Sequence, residues 1–171
     1  MSIVLHGVAA GKGIAIGHAH LITRGTTEVP QYDIDPDKLD AEVARFDNAI
    51  KATRKELEQL RGAIPENAPT ELGAFISLHL MLLTDVTLSR EPIDILREQK
   101  INAEWALKQQ SDKLAAQFDS IDDDYLRERK QDMLQVVRRI HNNLVGQSNE
   151  INLAGNLFDD TVLIAHDLSP A

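Results

Sequence analysis

Histidine carries the chemistry this chain could do, because cysteine is absent and with it disulfides, thiolate metal sites and cysteine nucleophiles. His18 and His20 stand two apart in IGHAH, a spacing that puts both imidazoles on one face of a strand and could hold a metal. With no third ligand in view, an exposed strand face is the better reading. His166 falls in the loop after an aliphatic run, where α/β proteins often place functional groups, yet no base or anion cradle stands beside it. His141, shortly before Gly146, has the position of a residue complementing a helix C-terminal dipole. His79 is set inside an apolar helical stripe of Leu72, Phe75, Ile76, Leu82, Leu83 and Val86, where a satisfied, partly buried histidine is the ordinary explanation.

Other motifs fail on spacing. GVAAGKGIAIG invites a phosphate-loop reading, but Lys12 is followed by Gly13 and a strand rather than by Ser or Thr and a helix. A turn between two short strands fits it better. No Ser-His-Asp order, close carboxylate pair or magnesium-phosphate motif stands out, and the many Asp and Glu residues read as helix caps and solvated faces.

The elements that position these residues follow two periods. Residues 14–22 alternate as a strand, Ile3-Val4-Leu5 is a short run before it, and Val162 to Ile164 is a third candidate at the far end. Between them the pattern is helical. Asp35 as N-cap and Pro36 at the first position open a helix with a seam of Leu39, Val43, Phe46, Ile50, Leu57, Leu60 and Ile64, with Thr53 filling its gap and Gly62 as its stop. The matching seam, Leu126, Lys130, Met133, Val137, Ile140 and Leu144, starts after Asp122, Asp123 and Asp124 and closes at Gly146. Asn102 is expected to cap a helix with the seam Leu107, Leu114, Phe118 and Ile121. Two more helices are expected, from about Thr70 to Val86 and about Ser89 to Gln99. The fold class that follows is α+β, a helical bundle inserted into a partial α/β subdomain formed by the chain ends. Its expected divisions are 1–34, 35–147 and 148–171.

Composition narrows the function. With 43% apolar and 26% charged residues and no run near the ~20 residues of a bilayer span, the chain reads as globular, with no membrane association and a cytoplasmic location. The net charge of −9 argues against nucleic acid and for small or basic protein partners. The helix around His79 also carries a second apolar arc, Ala74, Leu78 and Met81, pointing away from the first stripe. A helix apolar on two sides is either wholly buried or docks a partner, and the residues leave those two readings level.

At this point GIAIGHA, LHLMLLTD, INAEWAL, DDDYLRERKQDMLQVVRRIHNNLVG and VLIAHDLSPA resemble, in order and spacing, the N-terminal part of the Enzyme I family of phosphoenolpyruvate-protein phosphotransferases. The resemblance spans essentially the whole chain. One departure is Gly11-Lys12-Gly13, where the family commonly has Ser-Pro-Gly. The resemblance implies a helical subdomain that binds the phosphocarrier HPr and an α/β subdomain whose histidine passes phosphoryl from phosphoenolpyruvate to HPr. It further implies a C-terminal barrel that binds phosphoenolpyruvate and magnesium and makes a homodimer. The reactive histidine would follow Asp167-Leu168-Ser169-Pro170 by some two dozen residues, which places it beyond Ala171, with Ser169 orienting it. Residues 1–171 alone are therefore expected to be catalytically inert, without a metal site and monomeric, while keeping the docking face. Position by position, the family's HPr contacts fall on Glu71, Ala74, His79, Met81, Leu82, Asp85, Leu88 and Arg129. The competing readings are a helical adaptor for another helical protein and the nitrogen-regulatory form of the phosphotransferase.

Overall fold

The computed structural model describes residues 12–22, 29–146 and 161–165. Its elements run β1 (His18–Ile22), a single 3-10 turn (Pro36–Lys38), α1 (Leu39–Gly62), α2 (Thr70–Thr84), α3 (Val86–Ser89), α4 (Glu91–Gln99), α5 (Ala103–Asp119), α6 (Asp124–Leu144) and β2 (Thr161–Ala165). The described residues divide between two compact units, one drawing on Met1–Thr26 and Asn152–Leu168, the other on Thr27–Ile151.

In the first unit β1 and β2 pair in parallel, His18 opposite Thr161 and Ile22 opposite Ala165. The far ends of the sequence thus make one small sheet, as the end-strand argument anticipates. The alternating stretch from Ile14 becomes strand only at His18; Ile14 and Ile16 are 95% and 91% exposed. Gly13 takes φ +144°, a conformation a side chain would resist, which suits a glycine ahead of β1, while Gly11 lies outside the described residues. Ile3-Val4-Leu5 lies outside the described residues.

The second unit is the helical bundle. Asp35 accepts a hydrogen bond from the Asp37 amide at 3.2 Å and Pro36 takes the first position, so the chain enters α1 through the 3-10 turn. The long helices α1 and α6 pack together, α2 lies against both, and α5 covers α6 and α4. Phe46 and Leu57 from α1 meet Met133, Val136, Ile140 and Leu144 from α6 in a core completed by Ile76, Leu83, Leu88, Leu96 and Leu107. Each such fully buried aliphatic or aromatic side chain contributes about 1.5–3 kcal/mol. Thr53 fills the gap in the α1 seam: fully buried, it donates to the Ala49 carbonyl and accepts from Asn143 Nδ2 at 3.1 Å. Gly146, at φ +67°, follows α6 in the left-handed conformation that ends helices.

Several expectations need correction. Helix α1 does stop at Gly62, with Ala63 as its cap, but other bounds and seams differ. Leu60, in the last turn of α1, and Ile121, two residues past the end of α5, are 36% and 45% exposed rather than part of the buried seams. Helix α2 stops at Thr84 rather than Val86, and α4 starts at Glu91 rather than Ser89. The break belongs to Asp85, whose extended backbone cannot continue a helix. In α6 Met133, Ile140 and Leu144 are buried as the seam requires, but Val136 is fully enclosed where Val137 and Lys130 are only half-buried, and the Leu126 side chain lies outside those described.

Asn102 occupies the N-cap position of α5, but its side chain does not cap. Its Oδ1 accepts from the Tyr32 amide at 3.1 Å, and its Nδ2 donates to the Pro30 carbonyl and Glu104 Oε2, both at 3.0 Å. The cap role passes to Glu42, whose Oε1 accepts from the Ala103 amide at 2.8 Å. Arg45 completes this knot. It donates to both Glu104 oxygens at 2.7 Å, to Glu42 at 2.6 and 3.0 Å, and to the Leu144 carbonyl at 3.0 Å. These bonds raise the Arg45 pKa above its ordinary value despite partial burial.

No single helix among the described residues is long and apolar enough to cross a membrane. The apolar pair α2 and Val86–Gln99 is bent by 62° at Asp85. Its large residues Ile76, Leu83, Leu88 and Leu96 are buried in the core.

Candidate functional site

Helix α2 presents two opposite faces. Leu72, Ile76, His79 and Leu83 recur at steps of four, three and four, which returns them to one side of a helix. Ile76, His79 and Leu83 are buried, with Phe75 and Leu82 packed beside them. Glu71, Ala74, Leu78, Met81 and Asp85 follow the same rhythm about half a turn away. Glu71, Ala74, Met81 and Asp85 are exposed and Leu78 is half-buried. Met81, at 62% exposure, is a large apolar side chain turned to solvent. The second arc seen in the sequence is therefore an uncovered face in this structure, an arrangement that favours docking over complete burial.

Asp85 closes that face. Its Oδ1 accepts from the Thr87 amide at 2.8 Å and from Thr87 Oγ1 at 2.7 Å. These bonds hold its carboxyl below its usual pKa. Immediately beyond, Val86 is 63% exposed. The helical wheel puts Val86 on the buried stripe, but the break at Asp85 turns it outward. No periodicity reveals that; the signal was the Asp85–Thr87 pair, a helix-start pattern inside an apolar run.

The remaining expected contacts are less uniform. Leu88 and His79 are 1% and 0% exposed, so in this conformation they support the face from beneath. Leu82 is half-buried against the core. Arg129, on α6, pairs with Asp132 at 3.3 Å. His166, Ser169 and Ala171, the residue beyond which the reactive histidine is expected, lie outside the described residues. His18 and His20 are both exposed on β1, as an open strand face would have them. Among the described residues no group of three or more His, Cys, Asp or Glu is placed to hold a metal ion.

His79 is fully enclosed, its ring centroid 4.1 Å from that of Phe75, and neither ring nitrogen has a hydrogen-bond partner. It is not the satisfied histidine the sequence favours. Burial, and then the positive charge of Arg139, pull its pKa down to about 4. The folded protein thus holds it neutral, whereas the unfolded chain takes up a proton below about pH 6.5. Stability is full above that pH and falls as pH drops toward about 4, by roughly 2–3 kcal/mol. His79→Leu should flatten this part of the profile in urea denaturations compared between about pH 7 and about pH 4.5. An unchanged slope would mean that His79 is not the titrating group.

His141 departs from the helix-dipole expectation. It is half-buried, with Nε2 enclosed and unpartnered, and burial lowers its pKa. A neutral imidazole supplies no charge to complement the end of α6, so its role there is packing.

These features belong to a known class. The N-terminal family of PEP-utilising enzymes matches residues 6–129, and the chain belongs to that family. Within it, the relatives are enzymes named phosphoenolpyruvate-protein phosphotransferase. The Cupriavidus necator protein is 43% identical over 178 residues, covering 100% of this chain and 30% of that protein. The Bacillus subtilis protein is 33% identical over 171 residues, covering 98% and 29%. The chain spans about 30% of the length of these relatives. Among solved structures, the NMR structure of Enzyme I (nEIt) aligns with TM-score 0.79 and 32% identity, over 96% of this chain and 65% of that one. The N-terminal domain of Enzyme 1 - Nitrogen aligns with TM-score 0.68 at 24% identity, a likeness of fold alone.

Proposed function

We propose that this chain is the carrier-docking part of a phosphoenolpyruvate-protein phosphotransferase, and that the exposed face of α2 receives the small phosphocarrier HPr. The observation that carries the reading is the row Ala74, Leu78 and Met81. It is apolar, with Ala74 and Met81 exposed and Leu78 half-buried, and it lies between the exposed acids Glu71 and Asp85. Apolar contacts give such a face its affinity, while the acids steer a basic partner toward it and leave dissociation fast. Arg129 belongs to the same proposed contact set, with His79, Leu82 and Leu88 shaping the face from below.

In this reading residues 1–34 and 148–171 are parts of the phosphohistidine subdomain and 35–147 the docking subdomain. In the whole protein, a histidine beyond Ala171, oriented by Ser169, takes phosphoryl from phosphoenolpyruvate and hands it to the carrier. Magnesium, homodimerisation and a cytoplasmic location are part of the same proposal. In this reading the magnesium site lies outside residues 1–171.

The adaptor alternative needs free helical seams. Those of α1 and α6 are spent on each other, with Phe46, Leu57, Met133 and Ile140 at 3% exposure or less.

The test is a titration of the 15N-labelled chain with HPr, followed by amide shifts. Glu71, Ala74 and Met81 are expected to move, while Arg45 and Glu104 in the polar knot stay fixed. A titration that leaves α2 unperturbed overturns the reading.

A further inference from the structure

We infer that Asp85 serves carrier docking as a positioning residue, its carboxylate building the α2–α3 corner that presents Val86 as a further apolar contact. The inference rests on the docking face proposed above and concerns how that face is made.

An acid at the edge of a docking face is ordinarily read as a charge offered to a basic partner. The geometry assigns this one a different task. Asp85 leaves helical space at φ −65°, ψ 141° and is at once the C-cap of α2 and the N-cap of α3. Oδ1 is committed to Thr87, receiving both its amide and its hydroxyl. The Asp85 main-chain oxygen accepts from the amides of Leu88 at 3.2 Å and Ser89 at 2.9 Å, and from Ser89 Oγ at 2.7 Å. One residue thus ends one helix and starts the next, at the break where Val86–Gln99 turns by 62° from α2.

The bend decides which side chains go in and which go out. Leu88 is driven into the core at 1% exposure. Val86, which an unbroken helix would place on the buried stripe with Leu72, Ile76, His79 and Leu83, is left 63% exposed, as open to solvent as Met81 at 62%. An exposed valine gains nothing in water, whereas one that follows directly on Asp85, at the end of the apolar docking row, is open to the same partner. The expected partner is the same small carrier, whose basic rim Glu71 meets at the far end of the apolar row.

N-capping requires an acceptor oxygen and no charge, and asparagine caps as well as aspartate. That separates the two roles. HPr is titrated calorimetrically into chains carrying Asp85→Ala, Asp85→Asn, Val86→Asp and Met81→Asp, each first shown to melt cooperatively. Asp85→Ala is expected to weaken binding about tenfold, with Asp85→Asn recovering most of that loss. Val86→Asp is expected to weaken it about tenfold as well. If Asp85→Ala does not fold, Asp85→Ser, which keeps an acceptor without the charge, takes its place beside Asp85→Asn, and both must retain most of the binding. Equal losses in Asp85→Asn and Asp85→Ala, or full binding by Val86→Asp, overturn the inference while Met81→Asp still weakens the complex. Full binding by Met81→Asp overturns the docking face itself.

Discussion

Replacing Arg45 by methionine is expected to cost about 3 kcal/mol of folding stability, the low end of what removing one member of a buried ion pair costs. The low end applies because the Arg45 side chain is itself 33% exposed, whereas Glu104 and Glu42 are 7% and 11% exposed. Without the guanidinium, two largely enclosed carboxylates lose their counter-ion and the Leu144 carbonyl loses a donor. The pH dependence has a definite sign. Burial alone would raise the Glu104 pKa, but hydrogen bonds led by that of Arg45 bring it below its ordinary value. A depressed carboxylate pKa gives stability that is present at neutral pH and lost as pH falls. The deficit of Arg45→Met should therefore be greatest near neutrality and smaller in acid, where a protonated Glu104 is cheaper to bury. Urea denaturation at about pH 7 and about pH 4.5 measures both. In the double variant Arg45→Met/Glu104→Gln, about 1 kcal/mol or more should return, because one unpaired charge is gone. A neutral-pH loss below about 1 kcal/mol would class the knot with ordinary surface pairs.

The second large effect concerns binding. Met81→Asp is expected to weaken the complex with HPr about thirtyfold or more, roughly 2 kcal/mol, with the melting temperature nearly unchanged. Met81 is 62% exposed, so the folded chain loses little when it is replaced. In the complex a carboxylate would have to shed water against an apolar partner surface, and that cost falls on the complex alone. Leu88→Ala provides the opposite pattern. Leu88 is 1% exposed, so truncating it should destabilise the fold by about 2–5 kcal/mol and affect binding only through the shape of the corner. Unchanged affinity for Met81→Asp would move the docking site off α2.

Much of the architecture could be read from periodicity. The alternating steps of four and three in α1 and α6 predict that they pair, and Thr53 takes the gap in the α1 seam as a buried threonine bonded back to its own helix. The double-faced character of α2 was also legible, including the outward arc. What periodicity cannot carry is the point where a helix stops being one. The step at Asp85 depends on two hydrogen bonds to Thr87, and it reverses the fate of Val86. Nor does a pattern of apolar positions mark where its helix ends, and Leu60 in the last turn of α1 and Ile121 beyond α5 continue their seams into solvent. Asn102 has the right type at the right place for a cap, yet a nearby carboxylate from α1 does that work and frees the amide to hold residues seventy positions away in sequence. For the same reason the unpartnered state of His79 was invisible: sequence indicates burial, and only packing decides whether a ring nitrogen meets a donor.

The knot around Arg45 has one more effect. Through Asn102 it grips Pro30 and Tyr32, just ahead of the first helical turn, and through Arg45 it grips Leu144 at the close of the last helix. The helical unit therefore starts and finishes at a single latch, so a piece cut just outside it has neighbouring ends. Such a piece could be spliced into an exposed turn of an unrelated host, carrying its α2 surface with it.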